Sequence, residues 1–405
     1  DAWLDVALEA LELATEHGDV DTRFELALEL VRLHPERATG YDHLLDLEAD
    51  VDDSRQAIVE TVRDIGALLL PADIERFAPP RRPSSLSELP ALDAPIGDDE
   101  HDDTLVHPEE RVRSNAFGKL LGKYVVSEKT SDARLHCELV REDTYPVAFE
   151  LARALAELIG VDVPELFISH QRAGIRALGQ SDDPFLLVAM SHLNEDSERY
   201  LPPDALCFAL ATQLEHIRAG HLILTEAEYH QSLKKKGLQG AIAAVEMLPL
   251  GSLLAKTPLS KIGEALSSFK AKTQRKWLNE ALDFAESKGG DAFGWATGKL
   301  KDRVGDDGRR DREALMKEQV AAFVLGALFT ADRMGYLACG SLRGAVQAML
   351  RLSPSAYKHI PEVEREGLLA LFHQPTDQRL AHRELALRLS ELFDFALSRS
   401  LDESN

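Results

Sequence analysis

Apolar residues recur at helical spacing over residues 2–70 of this 405-residue chain. They return every three or four positions, which is the period of a helix that buries one face. Gly18-Asp19 breaks the first pair of stretches, and Pro35 follows the second stretch. We therefore predict antiparallel helix pairs. Their inward residues are Leu4, Leu8, Leu11, Phe24, Leu28, Val31, Tyr41, Leu44, Leu45, Ile58, Val62, Ile65 and Leu69.

A sequence echo indicates that these helix pairs are repeats. The fragment Asp-Val-Asp-Thr-Arg at 19–23 is followed by Val-Asp-Asp-Ser-Arg at 51–55. This period, an aromatic residue near each first helix and the position of Pro35 resemble tetratricopeptide repeats. The Trp-Leu-Gly-Tyr signature of those repeats is incomplete, so another kind of acidic helical bundle is an equal alternative. Two repeats are few for independent stability, which raises the possibility of further repeats upstream.

Charge is distributed unevenly along the chain. Residues 1–110 contain 29 acidic and 8 basic residues, whereas residues 111–405 contain 40 acidic and 38 basic residues. A strongly acidic region repels phosphate backbones, so nucleic acid is not an expected partner. A protein partner with a basic surface is expected instead, and it would bind through the acidic N-terminal region.

Proline content predicts a linker at residues 71–110, because seven of the 18 prolines lie there. The segment offers few large apolar residues for burial, so we expect much of it to be mobile or wrapped along a surface. It divides the chain into acidic helical hairpins at 1–70 and a body at 111–405. Whether the linker occupies a cleft of the body is left open by the sequence.

Cysteine usage and apolar runs indicate a soluble chain in the cytoplasm. The three cysteines are scattered and form no C-x-x-C motif, which is typical of a reducing compartment. The most apolar runs, 240–255 and 320–331, fall short of the roughly 20 residues of a spanning helix. The second run is predicted to be only about three turns long. Membrane binding is therefore not expected, although the basic stretch 231–276 keeps a peripheral membrane protein as an alternative.

The body combines long helical patterns with a few short strands. The fold class is therefore predicted to be mainly α, of the α+β type, with a small β-sheet. A helix is expected to begin at Pro203 or Asp204, and the remainder of the chain is expected to be helical. The other predicted elements are a helix at 146–159 and strands at 166–168, 174–178 and 185–188.

The sequence pattern most relevant to a catalytic site lies on the helix that begins near Asp204. Zincin metallopeptidases place H-E-x-x-H on such a helix, where two histidines bind one zinc ion and the glutamate activates the metal-bound water. In this chain the frame that ends at His216 reads T-Q-L-E-H. Thr212 stands at the first ligand position, and Gln213 stands at the general-base position.

The surrounding sequence resembles the metallopeptidase group of the CAAX prenyl endopeptidase and HtpX, with its soluble relatives. In that family two strands precede a helix that ends H-E-L-x-H-I-x-x-G-H, and a later helix carries E-x-x-A-D-R-x-G. A closing H-P pair is followed by an arginine. The matching segments span roughly residues 146–390. They begin at Ile175, Pro184, His216, Leu328 and His373, the last being followed by Arg379.

The resemblance implies a zincin-like domain whose catalytic residues are replaced. Two of the three zinc ligand positions hold Thr212 and Leu328, and Gln213 cannot accept a proton near neutral pH. His216 is the only retained ligand position, so we predict no zinc cofactor and no catalytic residue. The chain is therefore interpreted as a pseudopeptidase.

Further residues of the vestigial site are expected to have structural roles. Asp332 is predicted to form a buried hydrogen bond to the former zinc helix. His216 and His221 are five positions apart, so on one helix they would point about 140° apart and would not share a metal ion. The remaining supporting residues are Glu215, Arg333, His373 and Arg379.

The sequence therefore predicts a catalytically inactive, metallopeptidase-like protein that acts as a protein-interaction or scaffold module. One alternative is an active metal-dependent peptidase or other hydrolase with relocated ligands. In that case His170, His192 and His230 would converge on His216. The peripheral membrane protein is the other alternative.

Overall fold

Over the residues that it describes, the computed structural model is mostly helical and contains one small mixed sheet. This confirms the predicted mainly α class with a small β-sheet. The described residues are 2–34, 37–70, 105–111, 134, 136–170, 174–180, 182–222, 306–354, 356–372 and 376–402.

The helices and strands of the described residues follow one another in a simple order. The helices are α1 (Ala2–His17), α2 (Val20–Leu33), α3 (Ala38–Asp46), α4 (Asp53–Leu69), α5 (Pro108–Arg111), α6 (Pro146–Ile159), α7 (Pro203–Arg218), α8 (Asp306–Cys339), α9 (Leu342–Leu352), α10 (Ile360–Glu366), α11 (Leu368–Phe372) and α12 (Thr376–Asp402). The strands are β1 (Glu138–Leu139), β2 (Glu165–Ser169), β3 (Ile175–Gln180) and β4 (Asp183–Ala189). Short 3₁₀ helices cover Met190–His192 and Ala356–His359.

The chain divides into two compact units. Unit 1 comprises Asp1–Leu89, Leu201–Ala205 and Cys339–Asn405, and unit 2 comprises Pro90–Tyr200 and Leu206–Ala338. The sequence-based division into 1–70, 71–110 and 111–405 stays a prediction.

Unit 1 is built from helices that pack on their neighbours in sequence. Helix α1 packs on α2, α2 on α3 and α3 on α4, while α4 also packs on α9 and α12. Gly18 has a left-handed φ of 66°, and Asp19 then caps α2 by accepting a hydrogen bond from the Thr22 backbone N–H. The predicted inward residues are buried, except that Leu8 and Leu45 are half-buried. The helical spacing therefore identified the core of this region.

The carboxyl group of Asp64 on α4 is unfavourably placed in unit 1. Burial raises the pKa of Asp64 from its ordinary 3.8 to about 6, Glu60 acts in the same direction, and Arg63 and Arg343 oppose the rise. Protonation of Asp64 therefore favours the folded state. This contribution to the free energy of unfolding is complete below pH 3.8 and is lost as the pH rises through about 6. Asp64→Asn should therefore raise the free energy of unfolding by about 1–2 kcal/mol at pH 7 and by much less near pH 4.

Urea-induced unfolding at pH 7 and pH 4, followed by circular dichroism, measures this difference. Asp50→Asn, which changes an exposed carboxylate of the same unit, serves as the control and should have little effect at either pH. A loss of stability for Asp64→Asn at pH 7 would contradict the account, because it would mean that the arginines outweigh burial.

Unit 2 contains the sheet, in the strand order β1-β2-β4-β3. Strands β2 and β4 are parallel, and β3 and β4 form an antiparallel hairpin in which Ala177 lies opposite Leu186. All three predicted strands are confirmed. Strands β2 and β4 are longer at both ends, and β3 begins one residue later and ends two residues later than predicted. Strand β1 was not predicted, because two residues are too few to show an alternating pattern.

The predicted helices of the body are confirmed, with one correction of length. Helix α6 has the predicted bounds, and α7 begins at Pro203. The apolar run 320–331, predicted to be about three turns long, lies inside the 34-residue helix α8. Its window Ala322–Cys339 is long and apolar enough to cross a membrane, but 89% of that window is buried inside the structure, as in a core helix. The stretches 240–255 and 231–276 lie outside the described residues.

Candidate functional site

Helices α7 and α8 pack against each other within unit 2. The Cys207 thiol near the start of α7 lies 3.5 Å from the carbonyl oxygen of Ala338 near the end of α8. Beyond the other end of α7, the rings of His221 and Phe323 lie 5.5 Å apart. Residues later in α7 contact residues earlier in α8, so the two helices run antiparallel.

Gly335 lies where these helices approach each other closely. A Cβ atom at this position would lie 2.6 Å from Thr212 Oγ1 and 2.8 Å from the ring of Phe208. The A-D-R-x-G segment of α8 therefore faces the T-Q-L-E-H segment of α7. Leu328 and Asp332 lie two turns and one turn before Gly335 on the same side of α8, which brings them toward the level of His216.

Thr212 and Gln213, which the sequence comparison assigned to the first ligand and general-base positions, both form hydrogen bonds within the protein. The Thr212 hydroxyl donates to the carbonyl oxygen of Phe208, 2.8 Å away in its own helix. Gln213 Oε1 accepts a hydrogen bond of 2.9 Å from the backbone N–H of Ala177. Strand β3 is the last strand of the sheet order, so Gln213 ties α7 to a sheet edge.

Leu328 and Asp332 are both buried within α8. Leu328 is 5% exposed and presents only apolar atoms, so it cannot bind a cation. Asp332 is 1% exposed. Its expected hydrogen bond to α7 stays a prediction.

His216 and His221 lie closer together than the sequence predicted. Helix α7 ends at Arg218, Gly220 has a left-handed φ of 71°, and the His221 backbone N–H donates to the carbonyl oxygen of His216. The chain therefore turns back, and the two rings meet edge to face with centroids 5.9 Å apart. The expected separation of about 140° was wrong, because His221 does not continue the helix.

Glu110 joins His221 to α8. One carboxylate oxygen of Glu110 lies 3.1 Å from His221 Nε2, and both side chains are 4% exposed. The other oxygen accepts a hydrogen bond from the Thr330 hydroxyl. The backbone N–H of His107 donates to the same hydroxyl, and Arg333 donates to the carbonyl oxygen of Leu105. Residues 105–111 thus lie along α8, and we call them the strap.

The strap is the principal feature of this region that sequence reasoning missed. It includes the end of the predicted linker, yet Leu105, His107 and Glu110 are buried. A local signal was present, because Pro108 followed by two glutamates is typical of a helix start. That signal predicts α5 but not its contacts with His221 and Thr330.

The remaining predicted site residues are placed as follows. Glu215 is 1% exposed in α7. Arg379 lies in α12, and His373 lies outside the described residues.

The histidines proposed as relocated ligands are not brought to His216 among the described residues. His170 is exposed and lies 3.6 Å from Glu138. His192 is buried, with its ring nitrogens hydrogen-bonded to backbone atoms of Gly174 and Arg199. His230 lies outside the described residues. Within those residues, no group of three or more histidine, cysteine or carboxylate side chains is arranged to hold a metal ion.

Comparisons with protein-family models, with curated proteins and with solved structures found no match for this chain.

Proposed function

We propose that this chain is a non-catalytic protein-interaction module, in which a zincin-like unit without zinc is joined to the acidic helices of residues 1–70, which we call the acidic arm. Metallopeptidase chemistry needs a metal ion with an open coordination position and a base beside the bound water. In unit 2 the equivalent positions hold a hydroxyl, an amide and an apolar side chain. These groups supply neither the charge nor the proton acceptor that the reaction requires.

The hydrogen bond between Gln213 and Ala177 is the observation that carries the proposal. The general-base position must reach a water molecule at the metal, but the Gln213 carbonyl oxygen is held by a backbone N–H of β3. The same bond uses one of the backbone donors at the sheet edge, where an added peptide strand would otherwise pair. Gln213 therefore acts as a structural tie between sheet and helix.

The burial of His216 gives further support. His216 is 2% exposed, His221 packs on it, and Glu110 of the strap contacts His221. Hydrolysis requires that both water and substrate reach the reacting centre. His216 is enclosed by the chain's own residues, which supports a structural role for this helix.

The arrangement of elements also supports the resemblance on which the proposal draws. A two-stranded hairpin, β3 and β4, precedes the helix with T-Q-L-E-H, and the helix with A-D-R-x-G packs antiparallel to it. Helices α1 to α4, each packed on the next, are compatible with two tetratricopeptide-like pairs. The resemblance to metallopeptidases and the resemblance to tetratricopeptide repeats are both parts of the proposal.

The partner class follows from charge. The 29 acidic residues of region 1–110 favour a basic protein surface, disfavour nucleic acid and predict binding that weakens as salt is added. A cytoplasmic location remains part of the same proposal.

A hydrolysis assay tests the absence of catalysis. The full chain with added zinc is incubated with a library of internally quenched fluorescent peptides, and His216→Ala serves as the matched control. We expect equal, background rates for both proteins. Peptide cleavage that is lost in His216→Ala and in the presence of a chelator would contradict the proposal.

A further inference from the structure

Two large apolar side chains lie exposed on one face of α1. Val6 and Leu13 expose 65% and 51% of their surface, although α1 buries Leu4 and Leu11 on another face. Two helical turns separate Val6 from Leu13, so they lie on the same side. The other large exposed apolar residues of the described chain are single residues of α2, β1, α6 and the loop after α6, namely Leu33, Leu139, Val147 and Val163.

The half-buried Ala10 lies between Val6 and Leu13 and completes a continuous row. We call Val6, Ala10 and Leu13 the α1 stripe. Its steps of four and three residues match the seam along which two helices pack. A second row lies beside the α1 stripe, one position earlier in sequence. It consists of exposed carboxylates, namely Asp5, Glu9, Glu12 and Glu16.

No positive charge of lysine or arginine offsets this acidic row within α1. The first such residue of the chain is Arg23, in α2. The α1 stripe is therefore an apolar seam with a negative flank. A binding partner must match both the apolar seam and the negative flank. A carboxylate that lost its hydration at the contact without gaining a positive partner would weaken binding.

We propose that the α1 stripe binds an amphipathic helix of a partner protein whose apolar face is flanked by lysine or arginine. This inference rests on the proposed function, since it assigns the interaction to one surface of the acidic arm. Apolar residues of the partner pack on Val6 and Leu13, and its basic flank pairs with Glu9 and Glu16. Pairing of this kind sets partner choice and orientation between helices.

The charge pattern disfavours two other occupants of this surface. A second copy packed antiparallel through the same stripe would place the acidic rows of both copies side by side. An anionic membrane surface would be repelled by the same row. For a basic helix, both the apolar contact and the electrostatic interaction favour binding.

Fluorescence anisotropy with synthetic peptides tests the inference. The probe is a labelled helical peptide with leucine along one face and lysine on both flanks, titrated with the full chain at low and high salt. A second probe carries glutamate in place of lysine, and a third carries serine in place of leucine. We expect only the first probe to bind well, with an affinity that falls as salt is added.

Surface variants locate the binding site. Val6→Ser with Leu13→Ser should weaken binding by about tenfold or more, and Glu9→Gln with Glu16→Gln should reduce both affinity and salt dependence. Val163→Ser, which changes an exposed valine of unit 2, should bind like the original chain. Circular dichroism confirms that each variant is folded.

Three results would overturn the inference. They are no binding of the lysine-flanked probe, equal binding of the glutamate-flanked probe, and unchanged binding after Val6→Ser with Leu13→Ser. Self-association that this double variant abolishes would instead identify a second copy as the occupant and would also overturn it. Zinc-dependent hydrolysis would refute the proposed function without altering the peptide titration, so the two failures are distinguishable.

Discussion

Glu110→Ala should lower the free energy of unfolding by about 3 kcal/mol, because it removes one partner of a buried His–Glu contact. The change leaves the His221 ring and the Thr330 hydroxyl without the carboxylate that both contact at present. It also loosens the strap, which is held to α8 through Glu110, His107 and Leu105. Urea-induced unfolding measures the loss, and limited proteolysis should show faster cleavage near residues 105–111.

The chain offers a matched control for this experiment. His359 and Glu362 form a similar contact of 3.2 Å, but their side chains are 30% and 38% exposed, against 4% for both His221 and Glu110. Glu362→Ala should change stability by no more than about 0.5 kcal/mol, because solvent screens exposed pairs. Equal effects of the two substitutions would contradict the structural role assigned to the buried contact.

Gly335→Ala should destabilise the chain by about 2 kcal/mol, because it adds a methyl group where α7 and α8 already touch. The new atom would meet both the Thr212 hydroxyl and the Phe208 ring, so the helices would have to move apart. Thr212→Ala removes the nearer obstacle but leaves the ring. The double variant should therefore recover only part of the loss.

A double-mutant cycle with Thr212→Ala, Gly335→Ala and the combined variant measures this coupling. Thr212→Ala is the control, since it removes a hydroxyl whose hydrogen bond lies within its own helix. We expect a coupling energy of at least about 0.5 kcal/mol between the two positions. Additive effects would mean that the A-D-R-x-G segment does not face the T-Q-L-E-H segment.

Local sequence signals predicted most individual elements of the fold. Helix α6 has the predicted bounds because Pro146 begins it and Gly160, with a φ of 77°, ends it. The hairpin of β3 and β4 followed from two short apolar runs around a turn. Helical spacing likewise predicted inward residues of α1 to α4, and all of them except Leu8 and Leu45 are buried.

The site was less predictable, because its contacts join residues that are far apart in sequence. Glu110, His221 and Thr330 meet in the fold, yet no local pattern connects them. His221 was misplaced because the left-handed conformation of Gly220 turns the chain just after α7 ends. The hydrogen bond between Gln213 and β3 was not predicted, because it depends on the sheet. That Gln213 does not act as a base stays a prediction.

The most direct test of the account is the metal content of the full chain, purified without chelators or metal from an affinity tag. Elemental analysis should find almost no bound zinc, and the melting temperature should not change when EDTA is added. Tightly held zinc at about one equivalent per chain, lost in His216→Ala and accompanied by a lower melting temperature in EDTA, would contradict the account.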